Sequence, residues 1–402
     1  MEIRPILSTL RRHKTASALI VIEIALTCAI ICNALFLVGI RLERMDRPSG
    51  QAEDQVIRIQ LAGIGRDDAP EPLTRADLAA LRGLPGVRFA SVSNQVVFGE
   101  SGWGSSVSLR PDQPRPTLNA ALYMGEEQLL DAMGLRLVAG RRFNSDEFVA
   151  WGGDAQPPSA IVSRQMATRL FPDENALGQR FYWAGRVVEI VGIVEHLARP
   201  GGDGMAPEAY EYAMLLPVRV PYSIGGNYVL RTTPERRAEV LDAAVAALQA
   251  NGPHRIILAQ DTAEQLRERY YRQDRAMAWL LVAICAALLV VTALGIVGLA
   301  SFRVQQRTRQ IGIRRALGAT RRQILRHFQT ENFLLVTMGI VLGMLLAYAA
   351  NLWLMRMYEL PRLPPGFLPV GAVALWLLGQ LAVLGPALRA AAVPPAVATR
   401  SA

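Results

Sequence analysis

Hydrophobic positions are distributed unevenly along the chain and collect in four long runs. Residues 17–40 contain a single charged residue, Glu23, and residues 277–302, 333–355 and 367–388 contain none. Each run is long enough to cross about 30 Å of hydrocarbon at about 1.5 Å per helical residue. The pattern therefore predicts a membrane protein with four transmembrane helices.

The long segment between the first two runs has the mixed pattern of a folded soluble domain. Residues 56–61 alternate apolar and polar positions, which is typical of a half-buried strand. Residues 74–77 predict the cap of a short helix that reaches Leu81, and residues 87–93 predict the next strand. The domain is thus expected to open as β-α-β.

The end of this segment repeats the same order. Residues 228–231 and 256–259 have strand patterns, and between them Thr233 and Pro234 predict the start of a helix that reaches Leu248. Two β-α-β halves around one sheet predict a ferredoxin-like part. Further elements between the halves predict an inserted subdomain, with strands at 103–109, 117–124 and 181–193 and helices at 126–133 and 163–170.

Charge predicts the orientation of the spans. Residues 303–330 hold eight arginines and no acid, which by the positive-inside rule places this segment in the cytoplasm. Both termini then share that side, and residues 41–276 and 356–366 lie outside. Topology accounts for the arginines, so no nucleic-acid partner is expected. The first run exceeds a signal-peptide core and lacks a clear cleavage site, so it is interpreted as a retained span.

Composition excludes several kinds of chemistry. Lys14 is the only lysine and follows Arg11, Arg12 and His13, so the sequence has no Walker A loop and no ATPase is expected in this chain. All three cysteines lie in predicted spans, and the histidines lack metal-ligand spacing. No catalytic residue, metal site or resident cofactor is expected. The acids Glu126, Glu127 and Asp131 are interpreted as a solvated helix start, and residues 201–204 as a mobile glycine-rich loop.

Several polar or small residues in the spans are expected to shape the contacts between helices. Glu23 is expected to face the other helices, with an interhelical hydrogen bond favoured over a coupling role or proton transport. Gly339, Gly343 and Ala347 predict close helix packing, either within the bundle or at a dimer contact. Residues 262–302 contain no proline and predict one helix from the external domain through the second span, about 60 Å long at about 1.5 Å per residue.

The segment 310–320, QIGIRRALGAT, carries the most specific motif in the chain. Ile311, Gly312, Arg314, Arg315 and Gly318 in this setting resemble the cytoplasmic loop of MacB/FtsX-type ABC-transporter permeases, in which a Glu often stands at the position of Gln310. Residues 123–142, 160–181 and 187–194 are similar to the external domain of these permeases, and residues 386–400 to their cytoplasmic end.

This resemblance implies a multi-pass permease of the bacterial inner membrane, without a fused ATPase. It implies a fold of four transmembrane helices and a large extracytoplasmic α+β domain, built of a ferredoxin-like part and an inserted subdomain. The five motif residues would couple the permease to an ABC ATPase subunit that holds ATP and Mg²⁺. Other implied partners are a second permease in a homodimer or heterodimer, membrane lipid, a periplasmic adaptor and an outer-membrane channel.

The resulting domain prediction covers the whole chain. It comprises a cytoplasmic N-terminus (1–16), TM1 (17–40), a periplasmic MacB-like core domain with stalk helices (41–276), TM2 (277–302), a cytoplasmic coupling loop (303–332), TM3 (333–355), a short periplasmic loop (356–366), TM4 (367–388) and a cytoplasmic tail (389–402).

Three functions remain open at this stage. The leading one is mechanotransmission, in which ATP hydrolysis on the partner drives movement of the external domain and export of a substrate, as in tripartite efflux. Lipoprotein release or control of a cell-wall hydrolase is the alternative within the same class. From a different class, a membrane sensor without an ATPase also fits the pattern. The amphipathic segment 307–327 is consistent either with docking to a protein groove or with contact to lipid headgroups.

Overall fold

The protein is described from a computed structural model, which covers residues 14–64, 69–152, 156–201, 207–252, 254–358, 364 and 366–392. Several sequence expectations fall outside these residues: the N-terminus before Lys14, the glycine-rich loop beyond Gly201, most of the 356–366 loop and the tail after Ala392. The chain divides into two compact units, one formed by Met1–Asp46 with Gln273–Ala402 and the other by Arg47–Arg272.

The described helices are α1 (Lys14–Met45), α2 (Pro70–Arg82), α3 (Leu129–Met133), α4 (Arg164–Leu170), α5 (Arg237–Asn251), α6 (Ala263–Tyr270), α7 (Arg272–Gln306), α8 (Thr308–Ala316), α9 (Arg321–Tyr358) and α10 (Phe367–Ala392). The strands are β1 (Val56–Gly63), β2 (Phe89–Ser93), β3 (Gly104–Ser108), β4 (Leu118–Met124), β5 (Leu137–Gly140), β6 (Val149–Ala150), β7 (Ser159–Ser163), β8 (Arg180–Trp183), β9 (Arg186–Val194), β10 (Ala213–Leu216), β11 (Val218–Arg219), β12 (Asn227–Arg231) and β13 (Arg255–Thr262).

The helical unit contains four helices long and apolar enough to cross a membrane, which lie in α1, α7, α9 and α10. Ile24, Cys28 and Cys32 of α1 pack with Val336 of α9 and Leu375 of α10 in one buried cluster. In contrast, most of the apolar surface of α7 is left uncovered by the part of the chain that the structure describes, and its Trp279 is 69% exposed. The first, third and fourth of these helices therefore form the packed core of the unit.

The first sheet of the external unit has the strand order β13-β1-β12-β2, with every neighbouring pair antiparallel. In the chain, α2 connects β1 to β2, and α5 connects β12 to β13. Leu78 and Leu81 of α2 join Val240 and Ala244 of α5 in the hydrophobic core shared with this sheet. The sheet thus combines the first and last strands of the domain, as two β-α-β halves require.

The second sheet is inserted between β2 and β12 and closes on itself. Its strand order is β5-β9-β7-β10-β4-β3-β8, and β8 pairs back onto β9. Phe181, Ile190 and Met214 contribute fully buried side chains to the core. Because β8 completes the ring, the strands between it and β9 have no unpaired edge.

The helix start expected at residues 74–77 is wrong. The helix begins at Pro70, whose missing N–H costs nothing at the first helical position. Thr74 lies inside α2, where its hydroxyl donates to the Pro70 carbonyl and accepts from the Tyr222 N–H. Asp77 is completely buried rather than capping. The capping-box spacing at this site is therefore coincidental.

Asp77 instead anchors a buried ion pair in the core of the external unit. Its carboxylate accepts two hydrogen bonds from Arg255, the second at 2.9 Å, and one from the Tyr228 hydroxyl. Asn251 donates to it at 3.3 Å, and the Arg255 guanidinium lies 5.0 Å from the centre of the Tyr222 ring. Every face of this carboxylate is thus engaged by the protein.

The single helix expected over residues 262–302 is interrupted at Tyr271. Its start is as expected, because Thr262 and Gln265 form a reciprocal capping box. At Tyr271 the backbone leaves the helical region, with φ −88° and ψ 10°, and the side chain is buried against Phe98. Tertiary packing of this ring overrides the local helical preference. Residues 181–193, expected as one strand, instead form the two strands β8 and β9. Ala184 and Gly185 separate them as a two-residue hairpin turn with positive φ.

Candidate functional site

The motif segment lies in a helical hairpin. Its first arm is α8, which ends in a glycine turn, and its second arm is the start of α9. Gly318 has φ +97°, a backbone conformation that favours glycine. Its N–H donates to the Arg315 carbonyl, and the Ala319 N–H donates to the Arg314 carbonyl. These two bonds form a Schellman motif, which satisfies the carbonyls left open at the end of α8.

The second arm of the hairpin starts immediately afterwards with its own cap. The Thr320 hydroxyl accepts from the Gln323 N–H at 3.2 Å, and the Gln323 side chain accepts from the Thr320 N–H at 2.9 Å. This reciprocal capping box fixes the first turn of α9. Both ends of the four-residue connection 317–320 are therefore closed by hydrogen bonds, which makes the tip of the hairpin a defined shape.

The apolar residues of the hairpin divide between two faces. Ile311 and Gly312 are buried, and Ile311 joins a cluster with Ile324 and Phe328 of α9 and the end of α10. On the other side, Ile313 is 48% exposed and Leu317 is 83% exposed. Leu317 is therefore a large apolar side chain that the described residues leave uncovered at the tip of a capped turn.

The two motif arginines point to different surroundings. Arg315 donates to the Ala391 carbonyl at 3.2 Å and so holds the last turn of α10. Arg314 is exposed and lines a groove of about 270 Å³ between α8 and α9. Of the predicted coupling residues, the structure therefore brings Arg314 to the surface, while Ile311, Gly312, Arg315 and Gly318 shape the hairpin behind it.

A buried acid next to the hairpin was missed by the sequence reasoning. Glu331 of α9 is 4% exposed and accepts from Arg303 at 3.3 Å and from Arg307 at 3.5 Å. Arg303 also donates to the Ser17 hydroxyl of α1 at 2.9 Å. The cluster ties the ends of α1, α7 and α9 together. A signal was available, because Glu331 is the first acid after eight arginines.

Glu23 lies in the contact between α1 and α7. A side chain carbon at Gly295 would stand 2.6 Å from the Glu23 carboxylate, so this glycine provides the room that the carboxylate occupies. One turn further on, the hydroxyls of Thr27 and Thr292 are 2.9 Å apart and hydrogen-bonded. Glu23 and Thr27 of α1 therefore meet small or polar residues of α7.

Small residues on α9 allow close approach of α1. A side-chain carbon added at Gly339 would lie 2.7 Å from Ile24, and one added at Gly343 would lie 2.5 Å from Cys28. Ala347 is fully buried, and its carbonyl accepts from Asn33 of α1 at 3.2 Å. All three lie within the helical unit of one chain.

Within the external unit, Arg267 of α6 holds together the two points where the chain enters and leaves. Its guanidinium donates to Glu53 at 2.6 Å and to the Arg47 carbonyl at 2.8 Å. It also lies over the rings of Phe98, at 5.5 Å, and Tyr271, at 5.8 Å. We call this set the Arg267 clasp, and its members lie next to both chain crossings.

In the helical unit, the corresponding ends of α1 and α7 are joined by charge. Arg41 forms a short ion pair with Asp274, and Arg44 lies 3.9 Å from the same carboxylate. In the external unit, burial and the hydrogen bond to Tyr271 raise the pKa of Tyr210, so its phenol stays neutral. Within each unit, polar contacts therefore hold the residues next to the points where the chain passes into the other unit.

Two of the acids expected at a helix start pair with arginines. Glu126 lies 3.6 Å from Arg82, and Asp131 lies 2.7 Å from Arg142. Burial raises the pKa of Glu126. Within the described ranges, no group of three or more His, Cys, Asp or Glu side chains has the geometry of a metal site.

Family profiles match both units of the chain. Residues 282–395 match the FtsX-like permease C-terminal profile, and residues 17–250 match the MacB-like periplasmic core domain. The second match covers more than half of the sequence.

Curated relatives carry the same names. The chain is 28% identical over 366 residues to the macrolide export ATP-binding/permease protein MacB 1/2 of Paracoccus denitrificans, covering 88% of this chain and 51% of that protein. It is 24% identical over 410 residues to the ABC transporter permease YknZ of Bacillus subtilis, covering 99% of this chain and 98% of that one. The chain therefore spans about half of the MacB relative and nearly all of YknZ.

Solved structures of similar external domains are also found. The extracellular domain of YknZ matches with a TM-score of 0.32 at 18% identity, over 50% of this chain and all of that one. The periplasmic region of MacB from Actinobacillus actinomycetemcomitans matches with a TM-score of 0.34 at 14% identity, over 56% of this chain and 97% of that one.

Proposed function

Because this chain belongs to the family of FtsX-like permeases with a MacB-like periplasmic core domain, we propose that it is a non-catalytic permease subunit driven by a separate ABC ATPase. The permease family and the core domain are shown by the family matches. ATP and Mg²⁺ would bind on the ATPase chain. ATP binding would close the ATPase subunits, and this movement would be passed to the external domain and so drive export of a substrate.

The observation that carries this proposal is the capped hairpin with Leu317 at its tip. Leu317 is 83% exposed beside the exposed Ile313, so these two side chains form an apolar surface that the described residues do not cover. The Schellman turn and the capping box hold this surface in place, so that a push on the tip is passed into α9.

The proposed path from the hairpin follows the polar contacts described above. Arg315 links α8 to the end of α10, and Glu331 links α9 to Arg303 of α7. In the external unit, the Arg267 clasp lies at the chain crossings that follow α1 and precede α7. Movement at the cytoplasmic end would reach these crossings through α1 and α7.

The membrane placement is part of the same proposal. The four apolar helices and the arginine-rich hairpin support an inner-membrane protein with both termini and the hairpin in the cytoplasm and with residues 47–272 outside. The β13-β1-β12-β2 order supports a ferredoxin-like part with the ring as its insertion. The uncovered apolar side of α7 is consistent with a second permease, or with lipid, beside it.

The substrate route is proposed by analogy with the named relatives. A MacB-like exporter with an adaptor and an outer-membrane channel is one arrangement, and lipoprotein release or control of a cell-wall hydrolase is another. The gene neighbourhood separates them, because an adjacent adaptor gene supports efflux, whereas a lipoprotein carrier supports release.

The experiment is co-purification of the full chain with the ABC ATPase encoded beside it. Leu317→Asp places a charge on the proposed docking surface, and we expect at least tenfold weaker association, since burying an unpaired charge costs more than about 1.4 kcal/mol. Gln306→Asp adds the same charge at an exposed position at the end of α7 and should leave association unchanged.

Two outcomes would contradict the coupling role. If Leu317→Asp binds the ATPase as well as the unmodified chain does, the hairpin tip is not the docking surface. If the unmodified chain fails to retain any ATPase, a membrane sensor without an ATPase becomes the better explanation. Stimulation of ATP hydrolysis by the permease, measured on the same samples, provides the second readout.

A further inference from the structure

The inner face of the hairpin forms a groove that the proposed ATPase contact does not use. Its α8 wall is lined by Arg307, Gln310, Ile311 and Arg314, which recur at helical spacing on one face. Its α9 wall is lined by Gln323, Ile324, His327 and Phe328, and Ala319 lies at the turn. Leu317 and Ile313 are not among the lining residues, so the groove and the exposed tip are separate surfaces.

The chemistry of the lining is amphipathic. Ile324 and Phe328 are buried and give the groove an apolar floor, whereas the Arg314 guanidinium and the His327 ring stand at its sides. Among the described lining residues there is no Asp or Glu. The nearby acid, Glu331, is buried and already bonded to Arg303 and Arg307. The groove therefore offers the positive charge of Arg314 and a ring nitrogen of His327 above an apolar base.

The position of the groove matches a membrane surface. It spans the first two turns of α9, directly before the long uncharged run that starts at Phe333. Arg321 and Arg322 precede it on the first turn of α9. Cations at this depth lie at the level of lipid phosphates, where an anionic leaflet contributes about 1 kcal/mol per Lys or Arg.

We propose that the groove between α8 and α9 is a binding site for the phosphate headgroup of an anionic phospholipid of the cytoplasmic leaflet. The phosphate would lie between Arg314 and His327, with the Gln310 and Gln323 amides as further donors and the first acyl carbons on Ile324 and Phe328. This assignment rests on the membrane placement proposed above and concerns a surface distinct from the ATPase contact. A bound lipid would brace α8 against α9 on the side opposite the exposed tip.

The test uses the full chain purified in neutral detergent without any ATPase. Native mass spectrometry measures the ratio of bound phosphatidylglycerol to bound phosphatidylcholine from an equal mixture. We expect phosphatidylglycerol to dominate for the unmodified chain and the ratio to fall about fivefold in R314Q/H327Q. The matched control, R309Q/R326Q, removes two exposed arginines outside the groove and should keep the ratio.

A second variant guards against loss of folding. Gln323→Glu places an acid in the groove while its carboxylate still accepts from the Thr320 N–H, so the capping box of α9 is retained. We expect the same fall in the lipid ratio with an unchanged melting temperature.

Three results would overturn the proposal. An equal fall in R309Q/R326Q would mean general attraction to the basic surface. Displacement of phosphatidylglycerol by excess inorganic phosphate would mean a site for a free anion. An unchanged lipid ratio in R314Q/H327Q together with lost ATPase binding would mean that the groove receives the ATPase. Because the lipid measurement contains no ATPase, failure of the coupling role alone would leave it unaffected.

Discussion

The two units each bury a carboxylate among arginines, but they do so in different ways. In the external unit, Asp77 is fully enclosed and receives bonds from Arg255, Tyr228 and Asn251. In the helical unit, Glu331 is shared at 3.3 and 3.5 Å by Arg303 and Arg307. A small void of about 20 Å³ lies beside Glu331, which is room for about one water molecule.

This difference separates a fixed core from an adjustable joint. The Asp77 carboxylate joins two helices and two strands of one domain and accepts four hydrogen bonds, so we expect it to have one arrangement. Glu331 joins three long helices through longer contacts beside a void, so we expect its arginines to change position more easily than Arg255 does. The looser cluster lies next to the hairpin where we propose that force enters.

The largest effect is expected from breaking the fixed pair. Asp77→Ala leaves the Arg255 guanidinium buried without a counter-charge, which should lower the free energy of unfolding of the external domain by about 3–5 kcal/mol. Urea unfolding followed by tryptophan fluorescence measures this loss. The double variant D77A/R255M should recover part of it, because no charge is then left buried. A loss below about 1 kcal/mol for Asp77→Ala would show that the site tolerates an unpaired charge.

A smaller effect is expected at the joint. Glu331→Gln keeps the size of the side chain but removes the charge between Arg303 and Arg307, which should cost about 1–3 kcal/mol in thermal unfolding of the detergent-purified chain. Glu43→Gln removes an exposed acid from α1 and serves as the control. If Glu331→Gln costs as much as Asp77→Ala, the joint is as rigid as the core and the contrast between them fails.

The smallest effect is expected from a surface pair. The hydrogen bond from Arg141, at 2.6 Å, lowers the pKa of Glu147 to about 2. Because the folded pKa is depressed, this pair stabilises the fold above the unfolded pKa near 4.5, and the contribution is lost as pH falls from there towards 2. After solvent screening at the exposed arginine, the contribution is about 1 kcal/mol. The gap in unfolding free energy between the unmodified chain and Glu147→Gln should therefore be present at pH 6 and narrower at pH 3.

The apolar helices could be predicted from the sequence because charged residues are rare in segments that cross a bilayer. Glu23 is the only charged residue in the four runs. The Thr262 cap was predictable because both of its partners lie within four residues. The ion pairs of Glu331 were not predictable, because Arg307 and Arg303 lie 24 and 28 residues away in the chain. The strands β7 and β10 were missed because each is short and buried at every position, so neither shows the alternation of a half-buried strand.

The hairpin shows the same limit within one motif. Helical periodicity grouped Ile311, Ile313 and Leu317 as apolar positions, but only tertiary contacts decide which are covered. Gly318 was predicted as a motif residue, and its positive φ supplies the physical reason for glycine there. The interruption at Tyr271 was beyond prediction, because the buried ring that causes it is set by Phe98, far away in the chain.

The ring inserted between β2 and β12 has a consequence for the order of folding. Ser93 and Asn227 are paired neighbours in the first sheet, yet they are 134 residues apart in the chain. Closing so long a flexible loop carries an entropy cost that early local contacts cannot repay. Collapse of the ring shortens that loop, so we expect local hairpins of the insertion, such as β8–β9, to form before β2 meets β12. The segment that interrupts the first sheet in the sequence would then be the part that allows this sheet to close.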